Sequence, residues 1–297
     1  MAPRHILMAL LVVAIWGFNF VVIKLSVAAL PPLFSVALRF FFAAVPAVFF
    51  VRPPKAPVLL VVGYGFAFGV ALYTFLNLAL AIGMPAGLGS LVLQVQALFT
   101  MFFAYLWLND RPRPQQVLGA AVAFAGIGVI AAGEIEGGLL LPLGLTVLAA
   151  IAWGVANILT KRAGPVNPVA LTVWGALVVP LPMLMLSFIF EGPQAIADAV
   201  VGFTWGDAAL IAFLAYPATL LGLAIWSGLL SRYPASTVAP FTLLVPVTGL
   251  LSGVLILGDQ IGMPEIAGGV LILLGLALVA LRLKAAPYDV AEPGRRA

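Results

Sequence analysis

The sequence predicts an all-α membrane protein, and three observations predict it. Of its 297 residues, 64% are hydrophobic and only 8% are charged, where soluble globular domains carry about 25% charge. The apolar residues run on for roughly 18 or more positions at a time, long enough to cross a hydrocarbon core as helices. The alternating segments that transmembrane strands need are absent, and only helices or closed barrels satisfy their own backbone in lipid.

Breaks at Gly, Pro and charged residues divide the chain into ten spans. They lie near residues 6–28, 33–51, 57–79, 87–107, 114–133, 139–162, 168–190, 206–230, 235–257 and 264–284. The first span follows Arg4 and His5, and Ser26-Val27-Ala28 has the small residues of a cleavage site. Its length and its Trp16, Gly17 and Asn19 nevertheless predict a retained helix rather than a signal peptide.

Cations set the orientation. With a cytoplasmic N-terminus, that side holds Arg4, Arg52, Lys55, Arg111, Arg113, Lys161, Arg162, Arg232, Arg282, Lys284, Arg295 and Arg296. The outer loops then carry only acids: Glu134, Glu136, Glu191, Asp198, Asp207, Asp259 and Glu265. Both termini are therefore expected in the cytoplasm. The two cations left over, Lys24 and Arg39, fall within spans.

Composition also removes function classes. The chain has no cysteine and one histidine, His5, so disulfides, thiolate or imidazole metal sites and a Ser-His-Asp triad are not expected. No metal or cofactor is expected. The net charge of +4 is spread over short loops, which reports membrane orientation rather than nucleic-acid binding. The expected partners are the lipid bilayer and a small-molecule substrate, with no nucleic acid. Oligomeric state is left open, a monomer included. No nucleotide-binding motif is present, so ATP-driven transport by this chain alone is not expected.

The two halves resemble each other. Trp16-Gly17, Asn19 and Lys24 have counterparts in Trp153-Gly154, Asn157 and Lys161, with the Asn displaced by one position. At a constant offset of 149, Pro85-Ala86 pairs with Pro234-Ala235, Asp110 with Asp259, Gly119 with Gly268 and Gly126 with Gly275. Five spans per half is an odd number, so the second half enters the membrane in the opposite sense. The prediction is two inverted five-helix repeats, residues 1–136 and 137–286, with a tail at 287–297. Inverted repeats mark transporters that bind substrate near the midplane.

Arg39 falls about 10 Å below the outer boundary at 1.5 Å per residue. Intramembrane charges are costly and are functional candidates by default. No acid lies deep in a span, so Arg39 must turn to water, carbonyls or an anionic ligand. Lys24 near the end of span 1 is a milder case, and snorkelling to the interface explains it equally well. Around these cations, Trp16 and Asn19 share one face of span 1, and Trp153, Asn157 and Thr160 share one face of span 6. Tyr73 and Asn77 line up on span 3, and Gln96 and Thr100 on span 4, while Gln94 points elsewhere. Trp174, Tyr216, Trp226 and Ser236 add weaker candidates. Interhelical glue accounts for any one of these alone; their agreement across matching helices points to a cavity. Missing carboxylates argue against a cation-drug exporter and for a carboxylate-bearing solute. Pro85, Pro234, Pro240 and Pro246 permit kinks in spans 4 and 9. Gly119, Gly126, Gly128, Gly268, Gly269 and Gly275 predict close packing of spans 5 and 10.

The segments AIWGFNFVVIK, LPPLFSVALRF, GMPAGLGSLVLQVQALFT and RYPASTVAPFTLLVPVTGLLSGVLILGDQ resemble the EamA-type branch of the drug/metabolite transporter superfamily, over about residues 6 to 284. The resemblance implies ten helices, two inverted repeats, a central substrate cavity and a place in the bacterial inner membrane. It also implies that Trp16, Asn19, Lys24, Arg39, Trp153, Asn157 and Trp174 belong to the helices that line the cavity. The family often has Gly-Glu after helices 4 and 9, where this chain has Asn109-Asp110 and Gly258-Asp259. Trp174 stands about where the first repeat has Arg39, so the halves are not expected to bind substrate identically.

The expected function is secondary export, by alternating access, of amino acids, aromatic or small neutral ones included, and of related metabolites. The expected substrate-binding residues are Trp16, Asn19, Lys24, Arg39, Tyr73, Asn77, Gln96, Trp153, Asn157 and Trp174. Carriers of sugar phosphates, nucleotide sugars or cationic dyes are the transport alternatives. A membrane enzyme or scaffold would need convergent titratable groups or a soluble domain.

Overall fold

The computed structural model describes residues 1–133 and 138–280, all of whose regular structure is helical. The apolar helices are α1 (Pro3–Ala29), α2 (Pro32–Val48), α3 (Val58–Ala81), α4 (Ala86–Leu108), α5 (Pro114–Gly133), α6 (Leu140–Ala163), α7 (Pro168–Phe190), α8 (Trp205–Leu230), α9 (Phe241–Leu257) and α10 (Met263–Ala280). Among the described residues eight of these are long and apolar enough to span a bilayer, while α2 and α9 are shorter. A short helix, Pro193–Val201, joins α7 to α8. Glu134, Glu136, Arg282, Lys284, Arg295, Arg296 and the tail lie outside the described residues, as do the side chains of Ser236 and Pro240.

Prolines start several helices, where a missing N–H costs nothing and φ is already helical. Two stops match each other. Helix α4 ends at Asn109 (φ 53°) and α9 at Gly258 (φ 68°), both left-handed, a conformation that closes a helix at low cost for Gly and Asn. The aspartates that follow donate alike: Asp110 N–H to Ala104 O and Asp259 N–H to Gly253 O, each 3.2 Å.

Several helices depart from regular α geometry. Helix α3 carries a π-helical stretch at Gly65–Leu72 and α8 another at Tyr216–Leu221; their ends, Leu72 and Leu221, are 149 residues apart. Helix α4 tightens to a 3₁₀ turn at Leu93–Val95, and α9 passes from 3₁₀ through α to π. Helix α7 breaks between Ala176 and Pro180, because proline removes a donor and disfavours helix in the residue before it.

Packing is mediated by close contacts at small residues. A β-carbon on Gly119 would fall on the carbonyl oxygen of Gly275, and one on Gly126 on that of Gly268, so α5 and α10 touch backbone to backbone. Gly17 in α1 sits against Thr248 and Gly249 of α9, and Gly154 in α6 against Phe99 and Thr100 of α4. Helix α1 also packs on α8, and α6 on α3; α2 packs on α7 and α8, and α7 on α3. Two of the expected packing glycines behave otherwise. Gly128 faces open space, and Gly269 meets Leu91 of α4 rather than α5. Leu7, Phe102, Leu118, Phe188, Leu255 and Leu274 stand exposed on the outside, as expected of a surface solvated by lipid chains rather than water.

Candidate functional site

The start of α2 is held from the second half of the chain. Pro31 and Pro32 have no N–H, and Ser35 donates to Pro31 O. The two free donors left, Leu33 and Phe34, go to the Glu191 carboxylate at 2.7 and 3.2 Å, which also accepts from the Ser187 hydroxyl at 2.6 Å. Two turns below this anchor, Arg39 is 3% exposed. Its Nε and Nη2 donate to Thr219 Oγ1 at 3.3 and 3.1 Å, and Thr219 passes its own proton to Leu214 O at 2.8 Å. The guanidinium carbon stands 4.2 Å from the centroid of Tyr73 and 5.7 Å from that of Phe40, a cation–π environment that favours a desolvated cation. No carboxylate ion-pairs with it among the described residues, and Nη1 has no partner. Arg39 is thus held by Thr219 along one edge and covered by Tyr73 on its face, with Nη1 buried and without a hydrogen-bond partner among the described residues.

From Tyr73 an aromatic wall continues. Phe68 meets Tyr73 edge-on at 5.8 Å, stacks on Tyr64 at 5.4 Å and meets Trp153 edge-on at 6.0 Å. Asn77 is 2% exposed and donates to Tyr73 O one turn back at 2.8 Å. Trp153's helix also carries Asn157, whose amide donates to Gln96 Oε1 at 2.8 Å and Thr100 Oγ1 at 2.9 Å. This joins three of the polar residues singled out on α4 and α6. Gln94 does point elsewhere, donating to Thr242 O at 3.2 Å. Across the molecule Trp16 donates to Ala218 O at 3.0 Å, within the π stretch of α8, and packs on Trp226 at 5.4 Å. Asn19, one turn further along α1, is 8% exposed, and its Oδ1 has no partner.

Two candidates do not join this group. Lys24 donates to Met84 O at 2.8 Å and lies 3.9 Å from Asp259 Oδ1, so its charge is already answered. Trp174 donates to Val51 O at 3.0 Å, past the end of α2 at Val48 and thus beyond the nine residues, about 14 Å of helical rise, that separate Arg39 from that end. Trp174→Phe is accordingly expected to leave transport within about twofold of the starting protein and to lower thermal stability by about 0.5–1.5 kcal/mol, the worth of one hydrogen bond. A transport assay beside a melting curve checks both.

Two residues at the site escaped the sequence pattern, Thr219 and Phe68. Both lie in π stretches, where the extra residue per turn shifts which side chains share a face. The Tyr216-Pro217 pair just before Thr219 was the one visible signal of irregular helix there.

A family model described as "EamA-like transporter family" matches residues 3–132 and 140–281. A protein of Salmonella typhimurium called "Probable amino-acid metabolite efflux pump" is 40% identical, over 93% of this chain and 94% of its own. One of the same name in Escherichia coli is 38% identical, over 96% and 97%. The "Probable terminal-alkyne amino-acid exporter" of Streptantibioticus cattleyicolor is 25% identical, over 83% and 81%. A solved crystal structure 19% identical to the chain shares its fold with a TM-score of 0.61, covering 95% of this chain and all of that one. With both of its matched segments and its long apolar helices, this chain belongs to the EamA-like transporter family: it is a multi-pass transporter of the bacterial inner membrane, not an enzyme.

Proposed function

We propose that the chain exports amino acids and related metabolites, aromatic or small neutral ones included, by alternating access between inverted repeats 1–136 and 137–286, with both termini cytoplasmic. The observation that carries the substrate class is Arg39, a buried cation whose Nη1 has no hydrogen-bond partner, and which has no carboxylate partner, among the described residues. A substrate carboxylate supplies the missing anion. Asn19 Oδ1, a buried acceptor without a donor among the described residues, is of the chemistry that receives an α-ammonium group. Tyr73, Phe68 and Trp153 form an apolar flank for the side chain, and the Gln96–Asn157–Thr100 cluster and Trp16 bound the route. Asn77 and Trp174, engaged with backbone carbonyls, shape walls rather than contact substrate, and Lys24 serves elsewhere. The names of the relatives agree with this substrate class.

The repeat reading is supported by exchange. The sequence pairs Gly119 with Gly268 and Gly126 with Gly275, while the contacts run Gly119 to Gly275 and Gly126 to Gly268. Swapping the halves returns the same contact set. The same holds for Gly17 on Thr248 and Gly249 against Gly154 on Phe99 and Thr100. Such reciprocity is what a pseudo-two-fold axis in the membrane plane produces.

Counterflow into proteoliposomes with labelled amino acids and their decarboxylated amines tests the function. Saturable uptake of the acids but not of the amines is expected. Uptake of amines or cationic dyes in their place overturns the substrate class, and flux that neither saturates nor shows counterflow overturns the carrier.

A further inference from the structure

The repeat contains a second pair of matched contacts that the binding site does not use. Lys24 of α1 meets Asp259, which follows α9; Lys161 of α6 meets Asp110, which follows α4, at 3.2 Å. Lys24 and Lys161 hold equivalent places after the Trp-Gly pairs, and Asp110 and Asp259 are equivalents at the offset of 149. Exchange of the halves therefore turns one ion pair into the other. They stand at opposite ends of the molecule. Asp259 accepts from Gly87 N–H at the start of α4, whereas Asp110 lies just beyond its end, 23 residues of helix further on, or about 35 Å.

The two pairs differ in distance and in cover: Lys24 Nζ lies 3.9 Å from Asp259 and donates to Met84 O, whereas Lys161 Nζ donates to Asp110 at 3.2 Å. The Lys24 and Asp259 side chains are 27% and 8% exposed, those of Lys161 and Asp110 58% and 62%. The backbone around each aspartate is the same, a left-handed residue followed by an N–H donating back into the helix, so the difference in exposure lies in what covers the pair. At a given distance the attraction within an ion pair is stronger, and less screened by salt, when water is kept from it. We propose that these pairs are the two latches of the transport cycle. The pair at the closed end is shielded, the pair at the open end is wet, and the two trade environments when the carrier turns over. On that assignment the structure is closed at the Lys24 end and open at the Lys161 end, the end expected to face the cytoplasm.

This inference rests on the alternating-access reading above, and its test separates the two. The chain has no cysteine, so single thiols report cleanly. Ser90→Cys places one at the shielded end, where Ser90 is buried within a turn of Gly87, and Thr160→Cys places one beside Lys161. Purified protein in nanodiscs is exposed to a membrane-impermeant maleimide from both faces. In the unmodified latch background the thiol at 160 is expected to react and the thiol at 90 to be protected. Asp259→Asn keeps an acceptor for Gly87 but removes the charge. It is expected to raise the reaction rate at 90 by tenfold or more and to lower that at 160. Lys24→Gln is expected to do the same from the other partner. The reversal Lys24→Asp with Asp259→Lys is expected to restore protection, and Asp110→Asn to leave position 90 protected. Protection at 90 that survives both Asp259→Asn and Lys24→Gln overturns the latch, as does equal exposure of 90 by Asp110→Asn, which would mean general loosening. If saturable counterflow persists while the thiols do not respond, the carrier stands and the latch alone falls.

Discussion

Arg39→Ala is expected to raise the half-saturating concentration of amino acids in counterflow about ten- to a hundredfold, the equivalent of the roughly 1.5–3 kcal/mol carried by a hydrogen bond to a charged group. The volume-matched variant Arg39→Met is expected to melt no lower than the starting protein in detergent. Arg39 buries a charge with no carboxylate ion-paired to it among the described residues, and removing such a charge relieves a desolvation cost. A residue kept for stability behaves the other way round, which makes the pair of measurements decisive. Arg39→Lys is expected to fall between, because a lysine is a point charge without the fork that lets one guanidinium hold Thr219 and a ligand together. Thr219→Val leaves Nε and Nη2 without their acceptor, so it is expected to cost about 1–3 kcal/mol of stability with a smaller change in half-saturation. Unchanged counterflow in a folded Arg39→Ala protein removes Arg39 from the substrate site.

Gly126→Ala is expected to destabilise the protein by about 1–3 kcal/mol, the range for overpacking a tight interior. Its β-carbon would land on Gly268 O and Ile272 N, and these are backbone atoms of α10 that no rotamer change can withdraw. The helices must separate instead. Gly128→Ala, two residues away with nothing near its β position, is the control. It is expected to be neutral or to gain about 0.5–1 kcal/mol, the helix penalty of glycine. Melting curves of the two variants compare them directly, and similar midpoints would remove close α5–α10 contact as a source of stability.

The apolar runs made the eight long helices readable, because a bilayer demands long uninterrupted hydrophobic segments and the sequence has little else to offer. Arg39 was readable for the converse reason, since a charge inside such a run stands out. Its partner was not. Thr219 is one of many small hydroxyls in apolar helices, and the π stretch that aims it at α2 arises from tertiary packing and Pro217 rather than from any period in the sequence. Phe68 was lost among twenty phenylalanines, and became distinct only through its contacts with Tyr64, Tyr73 and Trp153. The contacts of Lys24 were hidden for a related reason. Its counter-ion, Asp259, lies 235 residues away, and sequence distance conceals such a pairing until the halves are laid against each other. The matching positions of the two lysines and two aspartates were visible, but not that each lysine chooses the other half's acid.

The Glu191 clasp on α2 bears on how the protein is made. Until the ribosome has passed α7, the N–H groups of Leu33 and Phe34 have no carboxylate to receive them, although α2 entered the translocon about 150 residues earlier. In hydrocarbon an unanswered amide is expensive, so during synthesis the first turn of α2 is expected to rest among lipid headgroups or water until Glu191 arrives. The start of α2 is thus completed by a residue 158 positions later in the chain.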